Sequence, residues 1–148
     1  MNQNEIAAYA AKLILKLEDM LPHYMENEFD RNLNKGNVSV CIIDENGNVY
    51  GKMFGKDKIT SRNTYRIAWT KASQVMLTGM KTGEFEKKVF NGEIQEHQYG
   101  LSRPDFIGWD GGQPISLKDG TKLSVGFSGF RGIIDLEIVV KSIEELDK

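Results

Sequence analysis

Most of the side chains able to do chemistry lie between residues 93 and 135. His97 stands close to Glu93 and Glu96. A neutral imidazole is a common ligand for metal ions and for haem iron, so His97 is a candidate haem-iron or metal ligand. Its neighbours match no established zinc spacing, and a lone loop histidine more often faces solvent. Tyr99, Arg103, Phe106 and Trp109 follow it. Aromatic faces with one guanidinium suit a flat, anionic ligand such as a porphyrin carrying propionates. They suit a subunit interface equally well, because Tyr, Trp and Arg dominate interface hot spots.

The glycines beyond this loop form a second candidate wall. Gly111 and Gly112 can let a ligand approach the backbone, or serve as a bulge entering a strand. Ser128-Gly129-Phe130-Arg131-Gly132 precedes a helix. Free N–H groups there, with Arg131, can hold a carboxylate or phosphate. The competing reading is a helix cap, with Asp135 complementing the dipole. The spacing is neither a Walker loop nor the dinucleotide fingerprint. Lys71 is a candidate amine, although a helical lysine is normally exposed. His23 reads as a helix-surface residue, and the methionines read as core filler before they read as thioether ligands. No histidine–acid pair is placed by motif to activate a serine, so no catalytic constellation stands out.

The elements that must carry these residues follow from periodicity. Ile6, Ala10, Leu13, Leu17 and Leu21 mark an N-terminal helix with Asn4 as its cap. Pro22 demands a kink or a new helix. Tyr24, Met25, Phe29 and Leu33 give a second stripe that stops at Gly36. Residues 38–44 and 49–54 read as strands around Asn46-Gly47, a strong hairpin signal. Residues 59–80 are helical, capped by Thr60 or Ser61, with Tyr65, Ala68, Trp69, Ala72, Val75 and Met76 on one stripe. A short helix over 84–91 follows, with Thr82 as its cap. Residues 93–110, Pro104 among them, are irregular, and loops of that length usually have a function. Residues 115–117 and 123–127 pair across Asp119-Gly120. A final helix over 133–146 turns Leu136, Val139, Val140 and Ile143 to the core. Two hairpins with helices at both ends predict an α+β domain on an antiparallel sheet.

Bulk properties narrow the function classes. The 148 residues fit one domain, with 40% hydrophobic and 27% charged residues, ordinary for a globular chain. A net charge of −2 gives no electrostatic footprint for nucleic acid. No apolar stretch approaches the roughly 20 residues of a membrane span. The single cysteine, Cys41, lies in an apolar run and reads as an inert buried thiol. Together with the lack of a leading signal pattern, this makes a cytoplasmic location the expectation.

Order and motifs together resemble the GlcG/HbpS-like, or haem-degrading, family, which includes the C-terminal domain of PduO-type proteins. The resemblance rests on Val40-Cys41-Ile42-Ile43-Asp44-Glu45-Asn46-Gly47 and on Trp69-Thr70-Lys71-Ala72. Tyr99-Gly100-Leu101 and Gly111-Gly112-Gln113-Pro114-Ile115 extend it. Asp119-Gly120, Val125-Gly126-Phe127-Ser128-Gly129 and Asp135 complete it. It spans residues 37–148, which would form the family core behind an extended N-terminal helical segment over 1–36. It implies a profilin-like α+β fold and a homo-oligomer. It also implies a small-molecule ligand, haem, another tetrapyrrole or a corrinoid-related compound. The adenosyltransferase activity of PduO-type proteins belongs to another domain and is not implied. Three functions stay open at this point. One is ligand binding through Tyr99, Arg103, Trp109, Gly111, Gly112, Ser128, Gly129 and Arg131. The others are catalysis on a small organic acid or cofactor at a subunit interface, and ligand-free assembly.

Overall fold

The computed structural model describes residues 1–103 and 105–148; Pro104 lies outside the described residues. Four strands build the predicted antiparallel sheet: β1 (Ser39–Asp44), β2 (Val49–Met53), β3 (Gly112–Ser116) and β4 (Lys122–Ser128). Their order is β2-β1-β4-β3, and every neighbouring pair is antiparallel. Side chains alternate across the sheet. Val40, Ile42, Val125 and Phe127 meet helices α1 (Gln3–Tyr24) and α5 (Gly132–Leu146) in the larger core. Cys41 and Ile43 turn the other way, against Ala68 and Ala72 of α3 (Lys58–Thr78). The fold is α+β, with helices on both faces of the sheet. Among the described residues no helix is long and apolar enough to cross a membrane.

A row of small residues crosses the sheet under α3. Gly51 pairs with Cys41, Cys41 with Gly126, and Gly126 with Gly112. A Cβ on Gly126 would overlap the Ala68 carbonyl oxygen and the Ala72 nitrogen of α3. Only glycine therefore lets the α3 backbone settle this close to β4. That approach decides which α3 side chains are buried.

The helices refine several sequence expectations. Asn2, not Asn4, caps α1 by accepting the Glu5 N–H. Pro22 does not open a new helix; α1 runs on through it to Tyr24, and its closing turn forgoes the one hydrogen bond that proline cannot donate. Helix α2 (Glu28–Asn34) starts after Asn27. Its apolar stripe is inverted: Phe29 and Leu33 point outward, while Asp30 and Asn34 are buried. The cause is chemical. Asp30 accepts the backbone N–H and the guanidinium of Arg131, and Asn34 accepts the Gly36 N–H. Polar partners outrank the apolar pattern there.

The same correction applies to α3. Ala68, Ala72 and Val75 are buried as expected, but Lys71 and Gln74 join them, and Trp69 and Met76 face outward. Asp57, not Thr60 or Ser61, caps α3 by accepting the Ile59 and Thr60 N–H groups. Helix α4 (Thr82–Phe90) includes Thr82 in its first turn. On α5, Val139 is buried with Ile138, whereas Val140 is 37% exposed. The segment over 1–36 is integral to the core, since Ile6, Ala10, Leu13 and Leu17 of α1 are buried in it.

Candidate functional site

The site starts from Lys71. Its Cβ lies over Gly112 and Gly126, and its amine lies beside Gly111. Side chains at the two strand glycines would occupy the space that the lysine uses. The Lys71 Nζ donates to the Phe127 carbonyl at 2.8 Å and to Asp135 Oδ2 at 3.2 Å. Lys71 is 1% exposed and Asp135 2%. Asp135 Oδ1 accepts the Phe130 N–H at 2.9 Å. The carboxylate therefore folds back onto the turn before α5 instead of merely facing the helix dipole.

Burial dominates the protonation of both groups. It pushes the Asp135 carboxyl up to about 7, against the opposing pull of Lys71 and the Phe130 N–H. Burial also lowers the Lys71 amine below its usual range, although Asp135 partly restores it. A charged pair driven together this way is a marker of functional sites as well as of structural networks.

The loop after α4 forms the roof. Gln74 donates to the Ile107 carbonyl at 2.8 Å and accepts the Ile107 N–H at 2.7 Å. The Thr82 hydroxyl donates to the Trp109 carbonyl at 2.6 Å. The loop backbone is thus tied to α3 and α4 while the Trp109 side chain stays 66% exposed. Two adjoining clefts share Trp109, Gly108, Asn63 and Ile67. One, of about 910 Å³, is lined by Trp69, Arg66, Met76, Leu77 and Phe106 as well. The other, of about 740 Å³, reaches down to Lys71, Asp135, Asp110 and Asn34. Both volumes fall in the range of about 300–1,000 Å³ usual for small-molecule sites.

The sequence candidates separate into groups. Trp109, Ser128 and Gly129 line the clefts. Gly111 and Gly112 lie behind Lys71 and give it room. Arg131 is held by Asp30, with its Nη2 2.8 Å from Oδ2. Tyr99 packs edge-on against Phe85, and Arg103 lies over the Phe90 and Phe106 rings and pairs with Glu96. These two residues anchor the loop to α4 and line neither cleft. His97 is exposed on a one-turn helix (Glu96–Tyr99) and also lines neither cleft. His23 is exposed at the end of α1. Among the described residues no group of three His, Cys, Asp or Glu side chains is arranged to hold a metal ion.

Periodicity misses Lys71, Gln74 and Asn34 as interior residues, because polar residues normally mark the outer face of a helix. The available signal was the glycine content of the facing strands, Gly112 and Gly126, which leaves room for a long side chain. Cys41 is fully buried, and burial raises its thiol to about 11, consistent with an unreactive sulfur.

Comparison with known proteins agrees with this architecture. The model for the haem degrading protein HbpS-like family matches residues 21–144. A crystal structure of a double mutant of Streptomyces reticuli HbpS aligns with a TM-score of 0.60 at 19% identity, covering 93% of this chain and 83% of that one. The Klebsiella pneumoniae protein ORFY aligns at 0.69 and 17% identity, covering 93% and 86%. A PduOC:heme complex aligns at 0.64 and 17%, covering 97% and 93%. At these identities the likeness is one of fold. Comparison with curated proteins gives no match.

Proposed function

Because the chain belongs to the haem degrading protein HbpS-like family, we propose that it binds a planar amphipathic small molecule, a haem or related tetrapyrrole, in the cleft between Trp69 and Trp109. The observation that supports this most is the pair of indoles on one cleft, 47% and 66% exposed beside Phe106, Ile67 and Leu77. Exposed indoles on a concave apolar surface favour a flat ligand, whose faces they can stack upon. The donor set fits that class. Arg66 is the cation on this wall and would pair with a propionate, and Met76 would offer a thioether to the iron. A bound haem would supply redox chemistry at its iron. The protein's part is to bind and orient the macrocycle and to shield one face from water.

The reading is tested by titrating haemin and following the Soret band. A saturable shift at stoichiometric haemin is expected, weakened by about 10-fold or more in Trp109→Ala, the loss of roughly one stacking contact in a pocket. His97→Ala should leave the shift in place. Absence of a saturable shift would sink the tetrapyrrole assignment.

Self-association is the second part of the proposal. Ile59, Phe29, Leu33, Phe90 and Ile133 are all more than half exposed. Leu33 and Ile133 line one cleft, and exposed apolar groups gathered in this way favour contact with another surface. Light scattering at micromolar concentration should give a mass above the 16.7 kDa of one chain. A monomer mass alone would refute it.

A further inference from the structure

We infer that Gln74 is a positioning residue for the cleft between Trp69 and Trp109: its buried amide holds the loop that carries Trp109, and ligand affinity depends on Gln74 through that indole. The tetrapyrrole reading supplies the ligand for this inference; the loop geometry stands without it.

Gln74 is a polar residue on the inner side of α3, 1% exposed. A buried amide is costly unless its donor and its acceptor both find partners. Here both partners belong to Ile107, which gives its carbonyl to Nε2 and its N–H to Oε1. Two residues exchange both bonds in this way in an antiparallel ladder. Ile107 lies outside every helix and strand. A side chain of α3 therefore takes the place of the missing neighbouring strand.

The three residues that follow are seated in turn. A Cβ on Gly108 would collide with the Glu86 carboxylate of α4. The Thr82 hydroxyl holds the Trp109 carbonyl. Asp110 packs against Gly83 and Gly132, in the first turns of α4 and α5. Residues 107–110 form no regular element, yet α3, α4 and α5 fix them one after another. The large side chain that this fixed stretch presents to the clefts from an exposed position is the Trp109 indole. A stacking surface gains from such support, because ordering a mobile loop at the moment of binding subtracts from affinity. Among the described residues, Gln74 alone bonds both backbone groups of one residue in this stretch. Its loss frees the indole most.

A double-mutant cycle on the full chain tests this, with haemin as the probe. Gln74→Met keeps the bulk of the side chain and removes both bonds. It should weaken haemin by about 10-fold while Trp109 is present. In the Trp109→Ala protein the same change should alter affinity by less than about 2-fold, because the group it positions is gone. Thr82→Val, which removes the neighbouring tether and keeps its shape, should act in the same direction as Gln74→Met. Ile138→Val, a core change on the opposite face of the sheet, should leave haemin affinity unchanged, which separates lost positioning from lost stability. In the haemin-free protein, the ¹⁵N–¹H indole signal of Trp109 should move in Gln74→Met and stay in place in Ile138→Val. The inference is overturned if Gln74→Met binds haemin as wild type does, or if its effect persists undiminished without Trp109. If wild type itself gives no saturable Soret shift, the tetrapyrrole reading fails and the indole signal decides the positioning role. An unmoved signal in Gln74→Met then overturns it.

Discussion

Lys71→Ala should destabilise the protein by about 3–5 kcal/mol at neutral pH, the usual result of removing one partner from a buried ion pair. Lys71 and Asp135 are both at most 2% exposed, so solvent cannot replace the lost ammonium. The Phe127 carbonyl would lose its Lys71 donor at the same time. By contrast, Lys52→Ala breaks an ion pair with Glu18 whose partners are 44% and 43% exposed. That change should cost no more than about 1 kcal/mol. Urea unfolding of the two variants separates the cases. Equal losses would mean that the Lys71 pair contributes no more than a surface contact.

The cost at Lys71 should depend on pH with a definite sign. The folded-state pKa of Asp135 is raised from its ordinary value of 3.8 to about 7. A raised carboxyl favours folding fully below the unfolded value and loses that contribution as pH rises through the folded one. Without Lys71 the carboxyl should rise further still. The variant should therefore be closest to wild type in acid, where Asp135 is protonated in both proteins. The gap should widen as pH rises towards neutrality and beyond. A gap that widens in acid would exclude Asp135 as the origin of the effect.

Gly126→Ala is the second large effect. The added methyl group would run into backbone atoms of α3, the Ala68 carbonyl and the Ala72 nitrogen, and not into a flexible side chain. Relief requires the helix to lift from the sheet. Overpacking of this kind costs about 1–3 kcal/mol and occasionally more. Lifting α3 would also move Lys71, whose Cβ lies over the same glycine. The same variant should thus disturb both the stability and the cleft. A urea midpoint within about 0.5 kcal/mol of wild type, the range of neutral surface changes, would contradict the close seating of α3.

The hairpins were legible because their signals are local. Asn46-Gly47 and Asp119-Gly120 each fix a turn between neighbouring strands, and Gly47 and Gly120 adopt the positive φ that such turns need. The inward faces of α2 and α3 were not legible, because their partners are distant. Lys71 meets Asp135 64 residues later, and Asp30 meets Arg131 101 residues later. Apolar spacing has no means of registering a polar contact between residues so far apart in the chain. The aromatic loop was legible as a unit but not in its division of labour. Phe85 and Phe90 of α4 take up Tyr99 and Arg103, which leaves Trp109 as the loop's aromatic side chain on both clefts. The glycines Gly111 and Gly112 were visible as places of close approach. What approaches them from within the chain is Lys71, together with Asp135 at Gly111 and Thr82 at Gly112.

A crystal structure of the protein soaked with haemin tests the central claim most directly. Electron density for the macrocycle is expected in the cleft walled by Trp69 and Trp109, with a propionate at Arg66. Density bound instead at His97, on its one-turn helix outside the clefts, would contradict that assignment.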